Sequence, residues 1–159
     1  MKLISLIYCT ILFIIFTFSI VHGENFIVFI PEFKINEIII EKQSSKIVLI
    51  DVCHWKVEDD IFDDYGTLFN FPKDYWSKEQ GWNYDFLNDY MRNLSWIKEN
   101  SIVIFLKNLS KFIKCGDITK KNIMDSYNKI ILPYWENTKY DKRWRNSGEI
   151  PKTIRVYAT

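Results

Sequence analysis

Three short strand-like runs limit what this chain can become. Ile47-Val48-Leu49-Ile50 and the run from Ser101 to Leu106 are continuous, rich in β-branched residues and too short for helices, and Lys152 to Tyr157 reads as a third strand. A continuous run of this kind reads as a strand covered on both faces, because a strand open to water on one face would alternate. Strands that alternate with helices need crossover connections, so the expectation is an α/β fold with a small three-stranded parallel sheet and helices packed on it. With 48% hydrophobic residues in a chain of 159, there is enough apolar surface for one core of ordinary size.

The stretches between the runs carry helical spacing. Val57, Ile61, Tyr65 and Leu68 recur at three and four, with Glu58, Asp59, Asp63 and Asp64 on other faces, and Pro72 ends that helix. A loop of aromatic and charged residues leads to Trp82, and Asn83 is the N-cap of a second helix running to about Asn93. After the second strand come a short helix around Ser110 to Ile113 and a longer one from about Thr119 to Leu132, which Pro133 stops. Residues 24–46 read as a lead-in holding a short strand and a helical turn, ahead of a domain over 47–159.

Residues 1–23 stand apart. Nineteen residues from Leu3 to Val21 carry no charge, with Lys2 before them and His22, Gly23 and Glu24 after. About 18 to 20 apolar residues can cross a bilayer, and a signal peptide's apolar core is usually about 7 to 15, so an uncleaved anchor and a long signal peptide both fit. Either one implies a protein that is exported, to the periplasm or beyond, or is membrane-anchored through residues 3–21. A mis-assigned start would restore the cytoplasm.

The net charge of +1 hides a dipolar chain. Residues 51–99 hold eleven acids and five bases, while residues 100–159 hold five acids and twelve bases. The acidic stretch argues against direct nucleic-acid binding there and suits a basic partner, because complementary fields speed encounter. Outside the leader the cysteines are Cys53 and Cys115, which could pair but do not make a disulfide scaffold; Cys53 is expected as a structural residue at a strand end. No cofactor is expected, since neither a Cys-x-x-Cys pair nor a cluster at metal-ligand spacing occurs. With His22 and His54 as the only histidines, imidazole-based catalysis has little to work with.

The segment from Asn83 to Leu94 is the informative one. Tyr84, Leu87, Met91 and Leu94 form a core stripe, whereas Asp85 and Asp89, four apart, lie one turn above the other on a different face. Two like charges so placed cost a helix roughly 0.2 to 0.5 kcal/mol, relieved in part by the helix N-terminus near Asp85 and by Arg92 beyond Asp89. A solvated acidic face and a recognition face both account for that spacing.

The stretch FPKDYWSKEQGWNYDFLNDYMRNLSWI resembles the recognition segment of the barstar family of ribonuclease inhibitors: a Phe-Pro stop, a Tyr-aromatic pair, then Gly-x-Asn-x-Asp-x-Leu-x-Asp. IVLIDVCHWKVEDDIFDDYGTLFNFP upstream is similar to that family's first strand, turn and helix, and SIVIFLKN and TIRVYA to later strands. The resemblance implies a three-layer fold and a non-catalytic immunity protein whose helix and preceding loop plug the active site of a basic ribonuclease toxin. It assigns partner binding to Tyr75, Gly81, Asn83, Asp85 and Asp89, with Asp89 where the RNA phosphate belongs, and it implies an acid from a later helix, Asp125 or Glu136. Two features depart from the family pattern: Ser77 to Gln80 are inserted before Gly81, and Arg92 adds a positive charge that a basic partner would not welcome unless it offers an acid.

Other classes of function fit the same residues. Asp85 and Asp89 could serve an exported hydrolase as acid and base, though no oxyanion hole, metal set or phosphate loop accompanies them. A membrane-tethered interaction module without a nuclease partner would keep the fold and lack inhibition.

Overall fold

The computed structural model describes residues 27–74, 76–112, 116–138 and 151–159. Its centre is a four-stranded parallel sheet made of β1 (Val28–Phe29), β2 (Lys46–Asp51), β3 (Ser101–Lys107) and β4 (Thr153–Ala158), in the order β1-β4-β3-β2. The α/β class is as expected from sequence, but the sheet has four strands instead of three. The extra one comes from the lead-in, where two residues are too few to make a pattern; their pairing is with the far C-terminus, Val28 opposite Tyr157 and Phe29 opposite Ala158.

The register sorts the strands into two faces. Val48, Ile104 and Val156 align, as do Ile50, Leu106 and Ala158, and these six belong to the main core on the front face. Val103, Phe105 and Tyr157 point the other way and form a small second core at the back. The first two runs therefore lack alternation because both faces of the sheet are covered, whereas β4 alternates, with Arg155 exposed between Ile154 and Val156.

The helices divide unequally between the faces. Helix α1 (Lys34–Glu41) places Ile35, Ile38 and Ile39 on the back core. Helices α2 (Glu58–Leu68), α3 (Tyr84–Asn93), α4 (Gly116–Asp125) and α5 (Leu132–Thr138) lie in front, with a π-helical segment, Ser126–Ile131, joining the last two. Right-handed crossovers explain the division. The chain moves from β1 across the sheet to β2 and then returns through β3 to β4, so the first crossover runs opposite to the others and its helix falls on the opposite face.

Helix ends follow local chemistry. At the start of α2, Asp60 accepts hydrogen bonds from the backbone N–H of Val57 at 3.1 Å and of Lys56. The helix ends at Leu68, with Asn70 in the left-handed region (φ 51°) and the Phe71 N–H reaching the Gly66 carbonyl at 2.9 Å. That is a Schellman closure, so the stop is made by Asn70 before Pro72 is reached. Val57 lies outside the helix and is exposed, while Phe62, absent from the expected stripe, is buried beside Ile61 and Tyr65.

Pro133 does not stop the long helix. It stands in the first turn of α5, directly after the π-helical segment. A first-turn proline needs no N–H partner, and the wider π turn eases the clash of its ring with the preceding turn. The short helix expected around Ser110 is a 3-10 turn, Leu109–Lys111. Cys53 lies just past the end of β2, in another 3-10 turn, Val52–His54, where it is an exposed free thiol and not the structural residue expected; Cys115 lies outside the described residues. Among the described residues no helix is long and apolar enough to cross a membrane, and the run from Leu3 to Val21 is not among them.

Candidate protein-binding site

The region around α3 is built on aromatic packing. Trp76 is the wedge between α2 and α3: its ring stacks on Phe86 at 5.4 Å and on Trp82 at 5.9 Å, and meets Phe71 edge-on at 4.6 Å. Its Nε1–H donates to the Phe62 carbonyl at 3.1 Å. The approach to α2 is so close that a Cβ on Gly66 would lie 2.2 Å from Trp76 Nε1, which explains a glycine in mid-helix. Trp76 is thus a buried anchor of the loop; Tyr75, its neighbour and an expected partner residue, lies outside the described residues.

Two further indoles fix this region by satisfying carbonyls at helix ends. Trp96 Nε1–H donates to the Phe69 carbonyl at 2.9 Å, after α2, and Trp135 Nε1–H to the Met91 carbonyl at 2.8 Å, in the last turn of α3. Leu87, Met91 and Leu94 are buried to 1% exposure or less, so the core stripe of α3 is where periodicity puts it. Leu94 closes the helix in the left-handed region (φ 44°), a cost a glycine would avoid but with no side chain for the core.

Ser77 to Gln80, the insertion, folds into a compact feature. Lys78–Gln80 forms a 3-10 turn, and the Lys78 ammonium pairs with Asp59 on α2. Gly81 follows with φ 78°, which an L side chain adopts only with strain, although space around it is open. Asn83 then ties turn to helix: its Oδ1 accepts from the Phe86 N–H at 2.8 Å, and its Nδ2 donates to the Gly81 carbonyl at 3.1 Å. Of the expected partner residues, Gly81 and Asn83 therefore set the geometry, and Asp85 and Asp89 stand exposed on α3.

The electrostatics of the face differ from a bare acidic pair. Arg92 pairs through Nη2 with Asp89 Oδ1, and its Nε donates to the Asn88 carbonyl at 3.3 Å. Its guanidinium also lies over the Tyr134 ring, 5.8 Å from the centroid, and Asp89, Arg92, Asn93 and Tyr134 line one shallow depression. Tyr134 escaped the sequence reading, because nothing local links α5 to α3. The later acid is also clarified in part: Asp125 is held by Lys121 at 2.9 Å and Lys129 at 3.0 Å, which keep its carboxyl below the usual range. Glu136 lies on α5, the helix that brings Tyr134 to α3.

Histidine chemistry is accounted for elsewhere. His54 Nε2 meets Asp64 Oδ2 at 2.9 Å, and the same oxygen accepts from Trp55 Nε1 at 2.7 Å. Among the described residues no group of three or more His, Cys, Asp or Glu side chains gathers as a metal site.

The front of the parallel α/β sheet thus carries a carboxylate-bearing helix, α3, braced by indoles and preceded by a glycine turn. The family model described as Barstar (barnase inhibitor) matches residues 45–148, well over half of the chain. The chain belongs to the barstar family; β1 and α1 precede the matched residues. No curated protein and no solved structure matches it.

Proposed function

We propose that this protein is a non-catalytic inhibitor, an immunity protein, that binds a basic ribonuclease and closes its active site with the acidic face of α3. One observation carries the reading: Asp85 and Asp89 are exposed one turn apart on a helix whose opposite face is locked in the core. A ribonuclease gathers cationic donors around the scissile phosphate, and carboxylates on a rigid helix satisfy those donors with charge-assisted hydrogen bonds. Membership of the barstar family supports a ribonuclease as the partner. The excess of acids over bases in residues 51–99 favours fast, salt-sensitive encounter. Export or membrane anchoring through residues 3–21 belongs to the same proposal and rests on the uncharged run; recovery of the full-length chain in a soluble cytoplasmic fraction, out of reach of external protease, would refute it.

The test pairs inhibition of RNA cleavage with unfolding for Asp85→Ala, Asp89→Ala and the double variant. Asp89→Ala is expected to weaken inhibition by about 2 to 5 kcal/mol, because cationic groups of the partner lose their counter-charge, and to leave folding nearly unchanged. Asp85→Ala is expected to cost less, being nearer the edge of the plug. Unchanged inhibition in the double variant would falsify the assignment of this face.

A further inference from the structure

Among the described residues the large apolar side chains that stand exposed are Phe29, Phe33, Ile40, Leu49 and Val57. Phe29, Phe33 and Ile40 all fall in β1 and α1 or between them, the addition that precedes the residues matched to the family. Singly exposed apolar residues need no explanation, but Phe33 and Ile40 go together. Phe33 is helical (φ −62°, ψ −20°) at the head of α1, and Ile40 lies two turns further on, so both stand on one side of the helix. Ile35, Ile38 and Ile39 take the other side into the back core. Helix α1 is thus apolar on two opposite sides, whereas a helix that only closed the sheet would be polar on the outer one. Leu49 is a further exposed apolar side chain on the same face of the sheet, beside Phe105 in register.

We propose that the outer side of α1 rests on the surface of a lipid bilayer, with Phe33 and Ile40 dipping into the headgroup region, and that this contact turns the domain so that α3 faces away from the membrane. The inference rests on the anchoring reading of residues 3–21 and specifies how the anchored domain sits. The uncharged run ends at Val21, and residues 22–26 join it to Ile27, next to β1. At about 3.5 Å per residue that link reaches no further than about 18 Å, so an anchored chain brings β1 and α1 to the bilayer ahead of every other element. The charges agree with a lipid occupant. Glu37 pairs with Lys34 at 2.6 Å and Glu32 with Lys107 at 3.5 Å, which neutralises the acids on either side of Phe33. The helix itself holds Lys34, Glu37 and Glu41 and no basic cluster, a balance that suits a zwitterionic surface and offers an anionic one nothing extra. Since α1 lies behind the sheet and α3 in front, the sheet itself keeps the partner-binding face clear of the membrane.

The probe is the full chain reconstituted in phosphatidylcholine vesicles, with Cys9, Cys53 and Cys115 replaced by serine and one nitroxide label attached. The label sits at Asn36→Cys, exposed on α1 between Phe33 and Ile40, or for reference at Thr67→Cys, exposed on α2 in front. Relaxation by oxygen, which concentrates in lipid, against relaxation by a water-soluble nickel chelate reads depth. The oxygen-to-nickel ratio is expected to be about threefold or more higher at position 36 than at 67, as for a helix lying in the interface. It should fall to the value at 67 in the double variant Phe33→Ser, Ile40→Ser, while thermal unfolding stays the same because both side chains are exposed. If the cysteine-free chain fails to fold, amide exchange across α1 in the otherwise unmodified chain replaces the label, with slower exchange expected in vesicles for the wild type than for the double variant. A chain that floats with the vesicles but leaves position 36 as open to nickel as position 67 would overturn the seating and leave the anchoring reading in place. A ratio that the double variant does not move would overturn it too. Shielding from nickel without a gain in oxygen would mean that protein covers α1, either residues 3–21 or a second copy, and would overturn lipid as the occupant. A chain that stays behind when the vesicles float sinks the anchoring reading together with this one.

Discussion

Among the described residues the sheet carries four helices and a continuous aromatic core on its front face, and on its back face a single eight-residue helix whose Ile35 packs with Val103 and Phe105. The contrast extends to the surface. Front residues such as Trp55, Tyr65 and Phe69 are fully buried, whereas at the back Phe33, just before α1, and Ile40 on it are 69% and 67% exposed and Leu49 on β2 is 44% exposed. The proposed site lies on the heavily packed side. A carboxylate that is to meet a rigid nuclease cleft gains from a helix whose position is over-determined, since looseness in the support is lost affinity. No such demand falls on the back face.

The sharpest way to break the comparison is to remove the wedge. Trp76→Ala takes away a buried ring and an indole hydrogen bond between α2 and α3, and the expected loss is about 3 to 5 kcal/mol, with inhibition lost as well because the glycine turn and α3 lose their common support. Denaturant unfolding and an inhibition assay on one preparation check it; loss of stability with full inhibition would mean that the loop is positioned by something else. Ile35→Ala is the counterpart at the back. It is expected to cost about 2 kcal/mol, at the low end for such a truncation because its cluster is small, and to leave inhibition intact. A larger effect on inhibition than on stability would show that the two faces are coupled.

Smaller effects refine the picture. Gly81→Ala is expected to cost about 1 kcal/mol from the backbone alone, since φ is 78° and a methyl group there touches nothing. A loss of inhibition well beyond that would place the turn itself in the interface.

The smallest effect concerns acid. Asn108 Nδ2, above all, and the Cys53 N–H hold the Asp51 carboxyl below its ordinary value, and backbone N–H groups of Lys56 and Val57 do the same for Asp60. A carboxyl with a depressed folded pKa adds stability above the unfolded pKa, and this is lost as pH falls through the folded value. Thermal unfolding followed downward from neutral pH should therefore show a loss below about pH 4, made shallower by Asp51→Asn. An unchanged acid limb in that variant would mean that the link from the end of β2 to Asn108, just after β3, contributes nothing there.

Much of the site could be read without coordinates. Asn83 as N-cap, the buried stripe Leu87, Met91 and Leu94, and the separate face bearing Asp85 and Asp89 all depend on neighbours within one or two turns, and local periodicity encodes such relations directly. The insertion was visible as extra residues, but its role as a turn pinned to Asp59 was not, because the partner lies on another helix. Gly66 likewise reads as a weak point in α2 until Trp76 is seen against it.

By itself, then, the sequence determined that strands and helices alternate, that the sheet is parallel and covered on both faces, and that two carboxylates share an exposed face of α3. Only the tertiary structure decided that Val28 and Phe29 join the sheet beside β4, that a π-helical segment carries the chain past Pro133, and that Arg92 is held between Asp89 and Tyr134. The physical reason is range. Propensity, capping and amphipathic spacing act over a few residues, whereas strand order and side-chain clamps join residues far apart in the chain, and these are fixed by which surfaces remain to be buried when the core closes.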